Sequence, residues 1–260
     1  MTLDITATLA DWPYEPGQVS ARRIQGADGR DKIQLRLDLG LLQMETSGRP
    51  DGVKPHGCES LLDYYEHQRQ SHLAENKPAE AFSLDERACE TLRAEGMMFY
   101  HRYLAAFVLE DYDLVERDAL RNLRLMDFCN RHASDPSDKF ILEQYRPYVL
   151  MMCARSRGQR ALRDSRPKAG LAAVRNGIEE IEQFYRRYDQ DKANENSAEL
   201  AILRALAKEL EARVPVDPMQ KLNEDLDRAI REERYEEAAA LRDRIRQFSH
   251  GSPPEEPGKG

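Results

Sequence analysis

The stretch from Glu59 to Arg213 constrains the fold most, because its apolar residues recur at helical spacing almost without interruption. Leu61, Leu62 and Tyr65 begin one apolar face. Ser83-Leu-Asp-Glu86 is a capping-box pattern and predicts a long helix through Leu92, Met97, Tyr100, Leu104 and Val108. Asp111 and Tyr112 turn the chain into a second helix carrying Leu114, Leu120, Leu123, Met126 and Phe128. Asp135-Pro136 predicts the start of a third, with Phe140, Ile141, Leu142, Tyr145 and Leu150. Leu171, Val174, Ile178, Ile181 and Phe184 mark a fourth. Asn196 to Glu199 is a further cap signal, followed by Leu200, Leu203, Leu206 and Leu210. A chain patterned in this way is mainly α, a multi-helix scaffold that buries one face between helices and leaves another open.

Residues 1–57 read differently. Gln18 to Ile24 and Lys32 to Leu37 alternate apolar and polar residues around the turn-forming Gly26-Ala-Asp-Gly29, which predicts a β-hairpin. Leu3 to Leu9 and Leu41 to Met44 are the candidate companion strands of a small antiparallel element. Two strands alone are not stable, so the element should pack on the helices that follow. The loop from Gly48 to Gly57 spaces Gly52 and Gly57 like the glycines of a phosphate-binding loop. Cys58 and Glu59 then stand where Lys and Ser or Thr are needed, so that motif fails. A connecting loop is the simpler reading; Arg49, Lys54 and His56 would carry an acidic ligand if it were a recognition loop.

The net charge of -8 disfavours a general nucleic-acid coat but leaves a local basic patch open. Arg155, Arg157, Arg160, Arg163, Arg166 and Lys168 form one dense basic run. Most such runs are solvated helix ends; the functional alternative is a contact for nucleic-acid phosphates or an acidic partner. Aromatic interleaving is absent from it, so single-strand stacking is not supported. Cys58, Cys89, Cys129 and Cys153 form no CxxC pair and are expected to be reduced thiols. No histidine sits in an HExxH motif, and Cys58, His67 and His72 are too loosely spaced to predict a metal. Neither a catalytic constellation nor a cofactor motif stands out, so the chain is expected not to be an enzyme and to need no metal or cofactor. With no basic leader and no apolar run of membrane-spanning length, a cytoplasmic protein without membrane contact is expected.

The C-terminal stretch Pro218 to Phe248 predicts two short amphipathic helices around a charged turn at Arg231 to Arg234. Asp217 can cap the first, and Pro218 suits its first position. Leu222, Leu226, Ala229 and Ile230 share one side of it, while Ala238, Leu241, Ile245 and Phe248 form a coiled-coil-like seam on the second, with Tyr235 at its entrance. A lone hairpin of this size has little core of its own, so a second surface is expected, either the rest of the chain or a partner.

Tyr235-Glu236-x-Ala238-Ala239-x-Leu241-Arg242-Asp243-x-Ile245, preceded by Leu222 and Ala229, resembles the UVR motif of bacterial excinuclease subunits B and C and of regulators of Clp-type protein machines. The resemblance implies a helical hairpin that binds another hairpin or a partner protein, without catalysis. It implies an excinuclease component or a Clp-type ATPase as partner, and a two-fold homodimer is an alternative. Leu222, Leu226, Ile230, Tyr235, Ala238, Ala239, Leu241 and Ile245 would supply the contact, with Arg242 and Asp243 orienting it. The stretches Asp85 to Ala133 and Ser137 to Tyr188 also resemble tetratricopeptide-type helix pairs, although each is longer than that family's usual repeat, and an irregular bundle fits equally. The expected organisation is a β element with its loop over 1–57, a helical scaffold over 58–213, a UVR-like hairpin over 214–250 and a disordered tail over 251–260. The expected role is a noncatalytic adaptor or regulator; a nucleic-acid-associated repair accessory is the alternative, and an enzyme within the helical region the less favoured one.

Overall fold

A computed structural model of the chain describes residues 4–215 and 218–249. Contacts divide it into two compact units, meeting between Ala212 and Arg213. Asp217 and the tail 251–260 lie outside the described residues.

The first unit begins with a helical turn, α1 (Thr6–Leu9), where a companion strand was expected. The Asp4 carboxylate accepts hydrogen bonds from the Thr6 N–H (2.8 Å) and hydroxyl (2.6 Å), which captures the backbone locally and competes with a ladder. Strands β1 (Ala21–Gln25), β2 (Asp31–Arg36) and β3 (Leu41–Glu45) form an antiparallel sheet in that order. Ile33 pairs with Arg23 on one side and Met44 on the other. Ile33, Leu35 and Met44 belong to the main core, which the sheet joins by packing on the helix that spans 86–108. The alternate β2 residues are polar yet also buried. Gln34 accepts from Arg22 Nε (2.8 Å) and donates to Gln43 (2.9 Å), and Lys32 pairs with Asp28 and Glu45.

Helix α2 (Leu61–Ala74) is followed by α3 (Glu86–Val108) and α4 (Tyr112–His132), an antiparallel pair. Asp85 caps α3 by accepting from the Ala88 N–H, so Ser83, the expected cap, lies outside the helix. The buried face of α3 also departs from expectation. Leu92 is buried, but Met97 and Val108 are about half exposed, and Glu95, Phe99, Arg102 and Tyr103 point inward. On α4, Leu120 is likewise exposed.

The expected third helix is broken into α5 (Pro136–Phe140), a 3₁₀ turn at Glu143–Tyr145 and α6 (Arg146–Arg163). Pro147 gives the reason: it lacks an N–H and its ring clashes with the carbonyl of Glu143, so a helix can begin there but cannot run through. Helix α7 (Pro167–Arg187) packs along α6, then come the short α8 (Asp191–Glu195) and α9 (Ala198–Arg213). Gly177 allows α7 to approach α6 so closely that a β-carbon there would overlap that of Ala154. Leu200, Leu203, Leu206 and Leu210 of α9 are all buried, as their spacing predicts.

The second unit is a hairpin of α10 (Pro218–Arg231) and α11 (Tyr235–Ser249). Its three-residue link repeats a device used in the first unit. Glu110, Ser165 and Glu233 each adopt a left-handed backbone (φ 56°, 55° and 56°). The next N–H then reaches back to a helix carbonyl: Asp111 to Ala106 (2.9 Å), Arg166 to Ala161 (2.8 Å) and Arg234 to Ala229 (2.8 Å).

Candidate functional site

Within the hairpin, Leu222 and Ala229 of α10 meet Ala238 and Leu241 of α11 in a small core, with Leu226 and Ile245 packed against it. The two alanines are essentially buried and let the helices approach beside the link. The seam residues therefore satisfy one another first. Ile230 (49% exposed), Tyr235 (69%) and Phe248 (39%) remain in solvent.

Helical spacing places these residues. At about 100° per residue, Ile230 follows Leu226 and Met219 down one flank of α10. Tyr235, Ala239, Arg242 and Arg246 follow one another down α11, and in an antiparallel pair both stripes face the same side. The result is an open face with an apolar centre at Ile230 and Tyr235 and an exposed basic edge at Arg242 and Arg246. Asp243 points away from the seam on the opposite side. Arg234, in the link, pairs with Glu232 (2.6 Å) and Glu237, which holds the charged turn to itself.

The basic run is engaged by the first unit's own residues. Arg155 stacks over the Phe107 ring (4.3 Å), Arg157 bonds Glu116 (2.7 Å), and Arg160 pairs with Glu116 (2.9 Å) and Asp113. Arg163 and Arg166 both meet Asp164, at 3.3 and 2.7 Å. Acids on α4 thus stand opposite the arginines of α6, a pairing that the basic run alone did not reveal. The glycine-rich loop is similarly committed. Arg49 turns inward to Asp51 (2.9 Å) and Glu95 (3.6 Å), Lys54 pairs with Glu59, and His56 stacks on Tyr64 (4.0 Å). Cys58 Sγ lies 3.8 Å from His67 Nδ1, whereas His72 Nε2 is 2.9 Å from the Pro78 carbonyl, so the three loosely spaced ligands do not assemble. Among the described residues no cluster of three metal-ligating side chains occurs.

A buried polar cluster between α3 and α4 escaped the sequence reading. The Glu95 carboxylate accepts from the Leu61 N–H (2.7 Å) and the Leu62 N–H (3.3 Å) at the start of α2, and pairs with Arg121. Arg102 forks onto Asp118 (2.6 and 3.0 Å) and donates to the Glu45 carbonyl (2.8 Å). The available signal was position: Glu95 and Arg102 lie on the same helical stripe as Leu92 and Phe99. These contacts tie sheet, α2, α3 and α4 together, which is an architectural role.

Among the described residues no helix is long and apolar enough to cross a membrane. Comparison with known families finds the UvrB/uvrC motif, UVR, over residues 218–250, the span of the hairpin. No curated protein and no solved structure matches the chain. The closed seam at Leu222, Ala229, Ala238 and Leu241 and the family match coincide on one element, and the chain is a UVR-motif-containing protein.

Proposed function

We propose that the chain is a noncatalytic adaptor or regulatory protein that docks a partner protein through the open face of its C-terminal hairpin. The observation that supports this is the solvent-exposed pair Ile230 and Tyr235 beside a seam that is already closed, within a matched UVR motif. Large apolar side chains held in water at the end of a small rigid element are typical binding anchors. Arg242 and Arg246 would steer an acidic surface onto them. The family resemblance favours an excinuclease component or a Clp-type ATPase as partner, and a second hairpin of the same chain is the other candidate.

The test uses full-length protein carrying Ile230→Asp or Tyr235→Asp. Both side chains are exposed, so the helices should remain intact, whereas Leu226→Asp or Ile245→Asp would also disturb the seam. Each exposed variant should weaken partner capture by about 2 kcal/mol, roughly 30-fold in Kd. Capture of the same proteins at wild-type levels by both variants would overturn the reading. A wild-type dimer in light scattering that these variants convert to monomer would identify the second hairpin as the occupant.

A further inference from the structure

A cavity of about 610 Å³ opens in the first unit between α3, α4 and the beginning of α6. That volume lies in the range of small-molecule sites, about 300–1,000 Å³. Met97, Tyr100 and Tyr103 of α3 form one wall at three-residue spacing, and Tyr145 and Tyr148 face them. Tyr100 meets Tyr103 edge-on (5.5 Å) and lies 6.0 Å from Tyr148. At the mouth, Met97 and Tyr145 are 51% and 54% exposed, large apolar groups kept in water.

Tyr103, 1% exposed, belongs to the lining as well. One polar feature is unspent. Glu199, in the first turn of α9, reaches the same cavity. Its hydrogen bond is from the Ser197 hydroxyl (2.9 Å), and it has no salt bridge among the described residues. The other charged and amide groups of the lining are engaged within the protein: Arg93 with Asp138, Asn122 with the Gly96 carbonyl (2.9 Å) and Arg121, and the Gln144 amide N–H with the Ile141 carbonyl (2.9 Å). Burial pushes the Tyr148 hydroxyl up to about 12 and Tyr103 upward as well, so both stay neutral and the rings keep their electron-rich faces. One carboxylate among tyrosine faces selects against anions and for cations.

We propose that this cavity binds a small organic amine, its ammonium on Glu199 and its apolar body against Met97, Tyr145 and Tyr148. Nothing in the UVR motif match bears on this site, which lies in the other unit.

The test titrates full-length protein with phenethylamine, phenethyl alcohol and phenylacetate, followed by ligand-observed NMR. The amine should bind about tenfold more tightly than the alcohol, and the carboxylate should bind least. Glu199→Gln should reduce the amine to the level of the alcohol and leave the alcohol unchanged. That variant should retain the native far-UV spectrum. No amine preference, a preference that survives Glu199→Gln, or no binding of any of the three at millimolar concentration would overturn the proposal. Tighter binding of N-acetyl-phenylalanyl-lysine amide than of phenethylamine would also overturn it, by assigning the cavity to a side chain of a protein partner.

Discussion

Gly177→Ala isolates the cost of holding α6 and α7 at their observed separation. Alanine is the better helix former by about 1 kcal/mol, so propensity alone favours the change. Against this, the added methyl overlaps the Ala154 β-carbon and comes within 3.6 Å of Leu203 Cδ1. A β-carbon moves only with its backbone, so relief means separating α6 from α7 in a core where Val174 and Ile181 of α7 and Leu203 of α9 are fully buried. Overpacking of this kind costs about 1–3 kcal/mol, and backbone displacement puts it at the upper end. The expected net loss is therefore about 2 kcal/mol. With a urea slope of about 2–3 kcal/mol/M for a unit of this size, the midpoint should fall by just under 1 M. Gly96→Ala is the control. Its methyl would meet the Leu125 Cδ2 atom at 2.9 Å, the tip of a flexible side chain that can rotate away. That variant should be neutral or slightly more stable. Urea titrations followed by near-ultraviolet tyrosine dichroism report on the first unit, where the buried tyrosines lie. A midpoint for Gly177→Ala at or above wild type would refute the reasoning.

Other expectations follow from the buried groups. Asp118→Ala strands Arg102, itself 1% exposed, and should cost about 3 kcal/mol or more in the same titration; Arg102→Met with Asp118→Leu should recover most of it. A thiol reagent should modify Cys58 in the native protein and the other three cysteines only after unfolding, as counted by mass. Burial pushes Cys89 up to about 11 and Cys129 and Cys153 up to about 12, which withholds the reactive thiolate. Burial holds His101 below its ordinary value of 6.5, and burial with Arg69 and Arg131 does the same for His132. As pH falls through 6.5 the unfolded chain takes up these protons first, so stability should decline there and be insensitive to them above it. Changing both residues to Gln should flatten that slope in thermal melts.

The elements most legible in the sequence are those whose signals are local. The Gly26 to Gly29 turn between alternating runs sets β1 and β2, and the leucines of α9 fall on one buried stripe. The C-terminal pair was readable because link, periodicity and motif agree. Where a tertiary partner decides, the pattern misleads. Apolar counting chose Met97 and Leu120 for the core and passed over Glu95, Arg102 and Asp118, which are buried only because each finds an opposite charge on another element. The break before α6 was visible in Pro147, but the apolar run from Phe140 to Leu150 outweighed it. On the hairpin the right residues were identified as apolar. Which of them close the seam and which stay outside depends on the helix-to-helix rotation, and only the folded pair supplies that.

The short link between α10 and α11 has a kinetic consequence. Ile230 and Tyr235 stand on either side of it, and the left-handed Glu233 with the Arg234 N–H bond to Ala229 fixes how the chain reverses between them. A looser connection would leave the two side chains wandering, and every encounter would wait for them to gather. Under the proposed docking role, an arriving surface would meet a tip already spaced for it, and the speed of capture would depend on approach and orientation.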